Sequence, residues 1–393
     1  MINQTLNKMQ GATIALLAIL YSLTATSCGN STAGRGETDK NQDTLMTITN
    51  LRIDISGCEN IEKGLDMGVS GAFVGLLNGK MIQAGGCNFP EDPLAPQSQK
   101  KFYEGIYEIE LGKTSWQPKR IGSLPSALAY GMAVSYPDGI VLIGGSNHAC
   151  SFSEAFVLKK SENTTQLSPL PPLPGTLDNF AATEIDSTIY VAGGNFNGKP
   201  ARKVFCINLK EEKPGWKELP ELPGNPRVQP VMAHSKNHQG KETLYLWGGF
   251  AGKDDHREAS LNTDGLKFDF DKGEWTVIDA PVNPSGEAVS TGGGCAAIMN
   301  DGRIAIVGGV NKDIFLDALK NQAPDYLSHP IEWYRFNPYL LIFNPITEKW
   351  ETGEISKELA RAGAGMVSNN GCLMVSGGEL KPRIRTAIIS IIK

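Results

Sequence analysis

The sequence predicts an all-β fold, a six-bladed β-propeller whose ring is closed by an N-terminal strand. Three observations predict it. A Gly-Gly pair returns six times, and each pair ends a short apolar run such as Ile140-Val141-Leu142-Ile143 before Gly144-Gly145. The first glycines stand at 85, 144, 193, 248, 308 and 377, so the steps are 59, 49, 55, 60 and 69 residues. A period of about 50 residues, made of strands with a Gly-Gly mark, reads as one propeller blade per repeat. Finally, the last repeat lacks a strand, and a strand-like segment precedes the first.

The chain opens with a targeting segment. Lys8 gives a weakly basic start, and Ala12 to Leu23 is an apolar stretch short enough for a signal-peptide core. Ala25-Thr26-Ser27 places small residues directly before Cys28, which resembles a bacterial lipobox. Cys28 would then be the lipidated first residue of the mature protein. Ordinary signal-peptidase cleavage with an incidental Cys28 is the alternative. Residues 29–44, rich in Ser, Thr, Asn and Gly, read as a flexible tether. No acidic run follows Cys28, so the expectation is a periplasmic protein anchored to the outer membrane as a lipoprotein.

Residues 45–393 form the expected propeller. In the first blade, Gly71 to Leu77, Lys80 to Ala84 and Gly105 to Leu111 are the first three strands, and Trp116 marks the fourth. Trp216, Trp275 and Trp350 occupy similar outer-strand places and are expected to pack blade against blade. Asn78-Gly79 and Asp301-Gly302 suit tight hairpins between first and second strands. The last blade offers Ala362 to Ser368, Cys372 to Ser376 and Thr386 to Ile392. Leu45 to Ile55 would supply its fourth strand, leaving no open sheet edge.

Composition narrows the function. Charged residues make up 20% of the chain and the net charge is -5, which does not suggest a nucleic-acid binder. The five histidines form no metal-ligand spacing; His234 and His238 are four apart but read as a surface turn. No metal and no cofactor is expected. An exported chain can oxidise its cysteines. A Cys87–Cys150 bridge is conceivable, Cys58 is undecided, and Cys206 and Cys372 read as buried small hydrophobes.

Topology places the candidate site. In a four-stranded antiparallel meander, the residues before each inner strand and those after each Gly-Gly must share one face. The first set includes Tyr130, Arg227 and Arg361; the second includes Asn88, Asn147, Asn195, Asn311 and Glu379. Such a ring of amides suits a polar ligand with many hydroxyls, a sugar for example. The alternative is that the asparagines only cap turns. The densest polar run is Gly378-Glu379-Leu380-Lys381-Pro382-Arg383-Ile384-Arg385-Thr386. A carboxylate there can act as a base, and a guanidinium can hold a substrate carboxylate through two hydrogen bonds. A simple surface ion pair is the bland reading.

That run resembles the Gly-Glu-x-Lys-Pro-x-x-Arg-Thr motif of the kelch-type N-acetylneuraminate epimerases, the sialic-acid mutarotases. Gly308-Gly309-Val310-Asn311 with a helical insertion, Gly68-Val69-Ser70-Gly71, Ala129-Tyr130-Gly131 and Pro226-Arg227-Val228-Gln229 are similar to other blade segments of that family. The order is rotated, with the motif blade last, so the chain resembles a cyclically permuted branch. The resemblance implies an enzyme that interconverts the α and β anomers of free N-acetylneuraminate by acid–base ring opening. It implies Glu379 as proton acceptor and Arg385 as its catalytic partner. Arg227, Lys381, Asn311, Tyr130 and Asn88, at or beside the same face, are the candidates for substrate binding. One departure is Leu128, where the family often has Arg. A non-catalytic glycan-binding propeller is the leading alternative. A copper-dependent kelch oxidase and a protein-interaction scaffold are two others.

Overall fold

Six antiparallel four-stranded sheets account for almost all of the regular structure in a computed structural model that describes residues 46–393, apart from 96, 162 and 163. The expected signal peptide, Cys28 and the tether lie outside the described residues. The inner strands of blades 1 to 6 are Phe73–Leu77, Met132–Tyr136, Ala181–Ile185, Val231–Lys236, Cys295–Ile298 and Gly365–Asn369. Each touches the next, and the last touches the first, so the ring is closed. Two of the second strands, Gly139–Ile143 and Ile304–Val307, are buried along their whole length. They are covered on both faces by neighbouring blades, which is why their sequences are unbroken apolar runs rather than alternations. The outermost strands alternate instead, and Lys349–Ile355 switches between exposed and half-buried at every residue.

Closure works as the sequence indicates. Strand Ile48–Ile53 pairs antiparallel with Ile389–Ile392, from Ile48 opposite Ile392 to Leu51 opposite Ile389. It completes the last blade. Its far end also pairs in parallel with the first blade, Arg52 opposite Ser115 and Ile53 opposite Trp116. The third strand of blade 6 starts at Ile389 rather than Thr386 because Glu379–Lys381 and Ile384–Arg385 form a separate ribbon first.

The outer tryptophans join blades by hydrogen bonds as well as by packing. The indole N–H groups of Trp216, Trp275 and Trp350 donate to the carbonyls of Pro171, Pro220 and Asp279, at 2.9, 2.9 and 3.2 Å. Each acceptor directly follows the outer strand of the preceding blade. Trp116 donates to Ala387 in blade 6 at 2.8 Å, since that blade's outer strand comes from the other end of the chain. Two details differ from expectation. His234 lies within the inner strand of blade 4, not in a turn, and burial holds its pKa below the ordinary value. The described cysteines are all free: Cys87 is buried, Cys150 is exposed, and they form no bridge.

The Gly-Gly repeat has a physical cause. At Gly377, φ is 67° and an added Cβ would sit 2.4 Å from the Val69 carbonyl oxygen of blade 1. That same carbonyl accepts the N–H of Gly378 at 2.8 Å. Equivalent bonds run from Gly86 to Leu128, Gly145 to Leu177, Gly194 to Arg227 and Gly309 to Arg361. The first glycine admits the neighbouring backbone, and the second bonds to it. Gly377→Ala is therefore expected to cost roughly 2–4 kcal/mol, combining left-handed strain with displacement of backbone. Gly79, with φ 74° in an open hairpin, has nothing within 4 Å of an added Cβ. Gly79→Ala should cost only about 1–2 kcal/mol. Guanidinium unfolding of both variants checks this, and equal losses would contradict the inter-blade explanation.

Candidate functional site

The two sets of residues predicted to share a face do meet. Ser70 bridges Cys87, Ala129 bridges Ser146, Val228 bridges Phe250, and Ala362 bridges Glu379. Asp178 pairs with Asn195 in the same way. The next residue in each blade has positive φ: Gly71, Tyr130, Asn179, Gln229, Gly293 and Gly363. Their backbones form a closed ring. Tyr130 donates its N–H to the Gly71 carbonyl, Asn179 to Tyr130, Gln229 to Asn179, Gly293 to Gln229, Gly363 to Gly293, and Gly71 back to Gly363, all at 2.7–2.9 Å. The channel beneath has a cavity of about 160 Å³. Pockets for drug-sized ligands are roughly 300–1,000 Å³, so a ligand of that size would rest on the ring rather than enter the channel.

The ring is bare on one side. Blades 5, 6 and 1 contribute glycines, whereas blades 2, 3 and 4 contribute Tyr130, Asn179 and Gln229. Above the bare half rises the ribbon Glu379–Lys381 and Ile384–Arg385, in which Glu379 lies opposite Arg385. Pro382 and Arg383 form its turn, with Arg383 at φ 73°. The Arg385 Nη1 donates to Glu379 Oε2, and its Nε donates to the Cys87 carbonyl at 3.4 Å. Its Nη2 has no hydrogen-bond partner among the described residues. The Glu379 side chain keeps 25% of its surface exposed, and Arg385 keeps 4%. Burial holds the Glu379 carboxyl above its ordinary range, against the pull of Arg385, Lys100 and the Arg383 N–H. Burial works against the Arg385 charge, but the facing Glu379 carboxylate together with Tyr130 and Cys87 outweighs it and keeps the guanidinium protonated. The pair thus joins a carboxylate of raised basicity to a fixed cation at the edge of an open mouth.

Two loops wall the pair. The loop after blade 1's Gly-Gly carries Lys100, whose ammonium donates to the Tyr130 hydroxyl at 3.1 Å. The Cys87 thiol contacts the same hydroxyl at 3.1 Å. Arg383 donates to the Pro93 and Ala95 carbonyls of that loop at 3.4 and 3.2 Å, and the guanidinium groups of Arg383 and Arg385 lie 5.2 and 5.6 Å from the Phe89 ring centroid. On the other side stands the blade 5 insertion, with helix Lys312–Asn321 and a short turn of helix at Ile331–Tyr334. Glu379 lies near enough to Tyr326 and Tyr334 for its charge to help raise both phenols, after burial.

Of the five residues expected to bind substrate, Tyr130 faces this pair; the structure employs the other four elsewhere. Arg227 is buried, with both Asp264 carboxylate oxygens at 2.9 Å from its Nη2 and the Gly248 carbonyl at 3.0 Å from Nη1. Arg361, its counterpart in blade 6, likewise bonds the Gly377 carbonyl at 3.0 Å. Leu128 holds the matching place in blade 2 and is buried in the core, so an arginine there would point inward too. Lys381 is buried and donates to the Leu327 and His329 carbonyls, tying down the insertion. Asn311 caps the helix, accepting from the N–H groups of Asp313 and Ile314 at 3.1 Å. Asn88 donates to the Gly64 and Gly68 carbonyls and accepts from Tyr103. For Asn311 the turn-capping reading holds, whereas Asn88 ties the 64–68 turn to blade 1. In the opposite wall of the mouth, Asp178, Asn179 and Gln229 follow no Gly-Gly pair. There the buried Asp178 accepts from Ser151, Asn179 and Asn195, and Gln229 donates to Asn179 at 2.7 Å. Counting back from each inner strand would have placed Asn179 and Gln229 in register with Tyr130. Among the described residues, no group of three or more His, Cys, Asp or Glu side chains is placed to hold a metal ion.

The chain is similar to known proteins over part of its length. A family model described as N-acetylneuraminate epimerase matches residues 170–393, from the end of blade 2 through blade 6. An N-acetylneuraminate epimerase of Pasteurella multocida is 30% identical over 243 residues, 58% of this chain and 60% of its own. One from Salmonella paratyphi B is 28% identical over 234 residues, 56% of this chain and 57% of its own. These matches span less than two thirds of the relatives' length. The solved structure of YjhT aligns with a TM-score of 0.48 and 26% identity, over 56% of this chain and 64% of that one.

Proposed function

The chain belongs to the N-acetylneuraminate epimerase family, and from that premise we propose that it interconverts the α and β anomers of free N-acetylneuraminate by acid–base ring opening. The observation that carries this reading is the Glu379–Arg385 pair beside the bare half of the mouth. A sialic acid is a cyclic hemiketal with a carboxylate on its anomeric carbon. Arg385 Nη2 is free to take that carboxylate. Glu379, adjacent to it, is then within reach of the anomeric hydroxyl and accepts its proton as the ring opens. Burial makes Glu379 a stronger base than a solvated carboxylate. The amides of Asn179, Asn195 and Gln229, oriented by Asp178, give the polyol part of the sugar a polar wall. A permuted blade order accounts for a collinear match that starts only near blade 3.

Proton NMR of freshly released α-N-acetylneuraminate tests this with the chain lacking residues 1–28. The wild type should speed the approach to the β-rich equilibrium. Glu379→Gln should lose roughly 10²-fold or more of that acceleration while remaining folded. The base acts only when deprotonated, so the rate should fall as pH drops, with a midpoint above the ordinary value of 4.5. An unchanged rate in the Gln variant, or a midpoint below 4.5, would sink the assignment.

We propose a periplasmic address with a lipid anchor at Cys28, supported by the apolar segment and the small residues before that cysteine. Cys28→Ala should move the protein from the membrane fraction to the soluble periplasm. If the variant stays with the membrane, the lipid anchor is wrong.

A further inference from the structure

We propose that Tyr130 is the general acid of the reaction, delivering its phenolic proton to the ring oxygen of the sugar. This rests on the anomer-exchange reading above. Ring opening needs a proton donor as well as a base, and Glu379 supplies only the base. Four observations single out Tyr130. It is a bulky residue held at φ 63°, a conformation that is uncommon for such residues and persists only where its surroundings enforce it. Here the backbone ring fixes it on both sides: its N–H bonds to Gly71 and its carbonyl accepts from Asn179, each at 2.7 Å. Its phenol ring lies over Gly71, where an added Cβ would meet Tyr130 Cδ1 at 2.7 Å. Tyr130 is thus aimed from blade 2 across to the bare half of the mouth.

The hydroxyl's partners complete the case. Lys100 Nζ donates to Tyr130 Oη at 3.1 Å, and Cys87 Sγ, whose one hydrogen also has the Ser70 carbonyl at 3.6 Å, lies 3.1 Å from the same oxygen. With the ammonium on its oxygen, the phenol keeps its own hydrogen to give. The backbone carbonyl of Cys87 meanwhile holds Arg385. One residue, Cys87, therefore links the acid to the cation that holds the base. Burial, with Cys87, keeps Tyr130 protonated, against the influence of Arg385. Lys100, 5.1 Å from the ring centroid, stabilises the phenolate that forms; it is a positioning residue.

The step balances without any further reactant. Glu379 takes the anomeric hydroxyl proton, and the O–H electrons become the second bond of the carbonyl. The bond from the anomeric carbon to the ring oxygen breaks, its electrons pass to that oxygen, and Tyr130 protonates it. The carbonyl end rotates. On closure, the hydroxyl oxygen attacks the other face, returns its proton to Tyr130, and Glu379 reprotonates the new anomeric oxygen. Nothing is oxidised or reduced.

Two replacements in the full propeller test it by anomer-exchange NMR. Tyr130→Phe keeps the ring over Gly71, so it should fold; kcat should fall about 10²–10⁴-fold with KM within threefold. Replacing Tyr130 by an isosteric fluorotyrosine makes the phenol more acidic. A loss of rate at alkaline pH should then appear at lower pH than in the wild type, and Lys100→Met should move that loss upward again. The titratable or charged groups facing the phenol are Cys87, Lys100, Glu379 and Arg385. Only Tyr130 changes acidity between wild type and fluorotyrosine variant. The assignment is overturned if Tyr130→Phe keeps kcat within tenfold, if the loss lies in KM alone, or if fluorination leaves the alkaline limb in place. Should Tyr130→Phe fail to fold, the fluorotyrosine comparison decides alone. A wild type that does not accelerate exchange would remove the reaction itself, and with it any acid for it.

Discussion

Everything at the mouth depends on the ring of six backbone hydrogen bonds that runs through Gly71, Tyr130, Asn179, Gln229, Gly293 and Gly363. Each member must adopt positive φ so that its N–H points to one neighbour and its carbonyl to the other. The ring fixes the blade starts at their closest approach, and five of the six Gly-Gly pairs, one layer out, bond their blade to the next. Few side chains could enforce this spacing. Backbone groups can, because their geometry is invariant and a buried unpaired one is costly. The structure is therefore stiff where the ligand is expected, which is what catalysis by positioned groups requires.

On this frame the two halves of the mouth diverge. Three consecutive blades present glycines and leave room, and the long excursions rise there: the loop of blade 1, the insertion of blade 5 and the ribbon of blade 6. The ribbon ties the other two. Lys381 reaches the insertion and Arg383 reaches the blade 1 loop, which leaves Arg385 for Glu379. Three cations at successive alternate positions thus have three destinations. The other three blades supply short, fixed polar groups centred on the buried Asp178. A ligand placed between would meet the Glu379–Arg385 pair on one side and the amides held by the Asp178 carboxylate on the other, and the proposal of a sugar acid rests on that contrast.

Much of this was legible in the sequence, and what was not has a physical reason. The Gly-Gly spacing shows the blade count because the contact behind it cannot accept a side chain at Gly377 or its equivalents. The closing strand could be inferred from a missing one. The meander topology put Glu379 at the mouth. Direction, however, is not encoded by position alone. Arg227 and Tyr130 are both near the start of an inner strand, yet Arg227 precedes the ring residue by two and turns into the blade, whereas Tyr130 is the ring residue itself. Lys381 and Arg383 are neighbours of the catalytic candidates in sequence, but the ribbon splays them apart. Asn179 and Gln229 were missed because they stand in no Gly-Gly motif; only register with Gly71 and Tyr130 marks them.

The account's central claim is that one mouth holds the sugar with its anomeric centre between Glu379, Arg385 and Tyr130. A crystal structure of the Glu379→Gln propeller soaked with N-acetylneuraminate tests it most directly. The account predicts the sugar carboxylate on Arg385 Nη2, the anomeric oxygen at residue 379 and the ring oxygen within hydrogen-bond distance of the Tyr130 hydroxyl. A sugar bound with its carboxylate on the Asn179–Gln229 side, or seated outside the mouth, would contradict it.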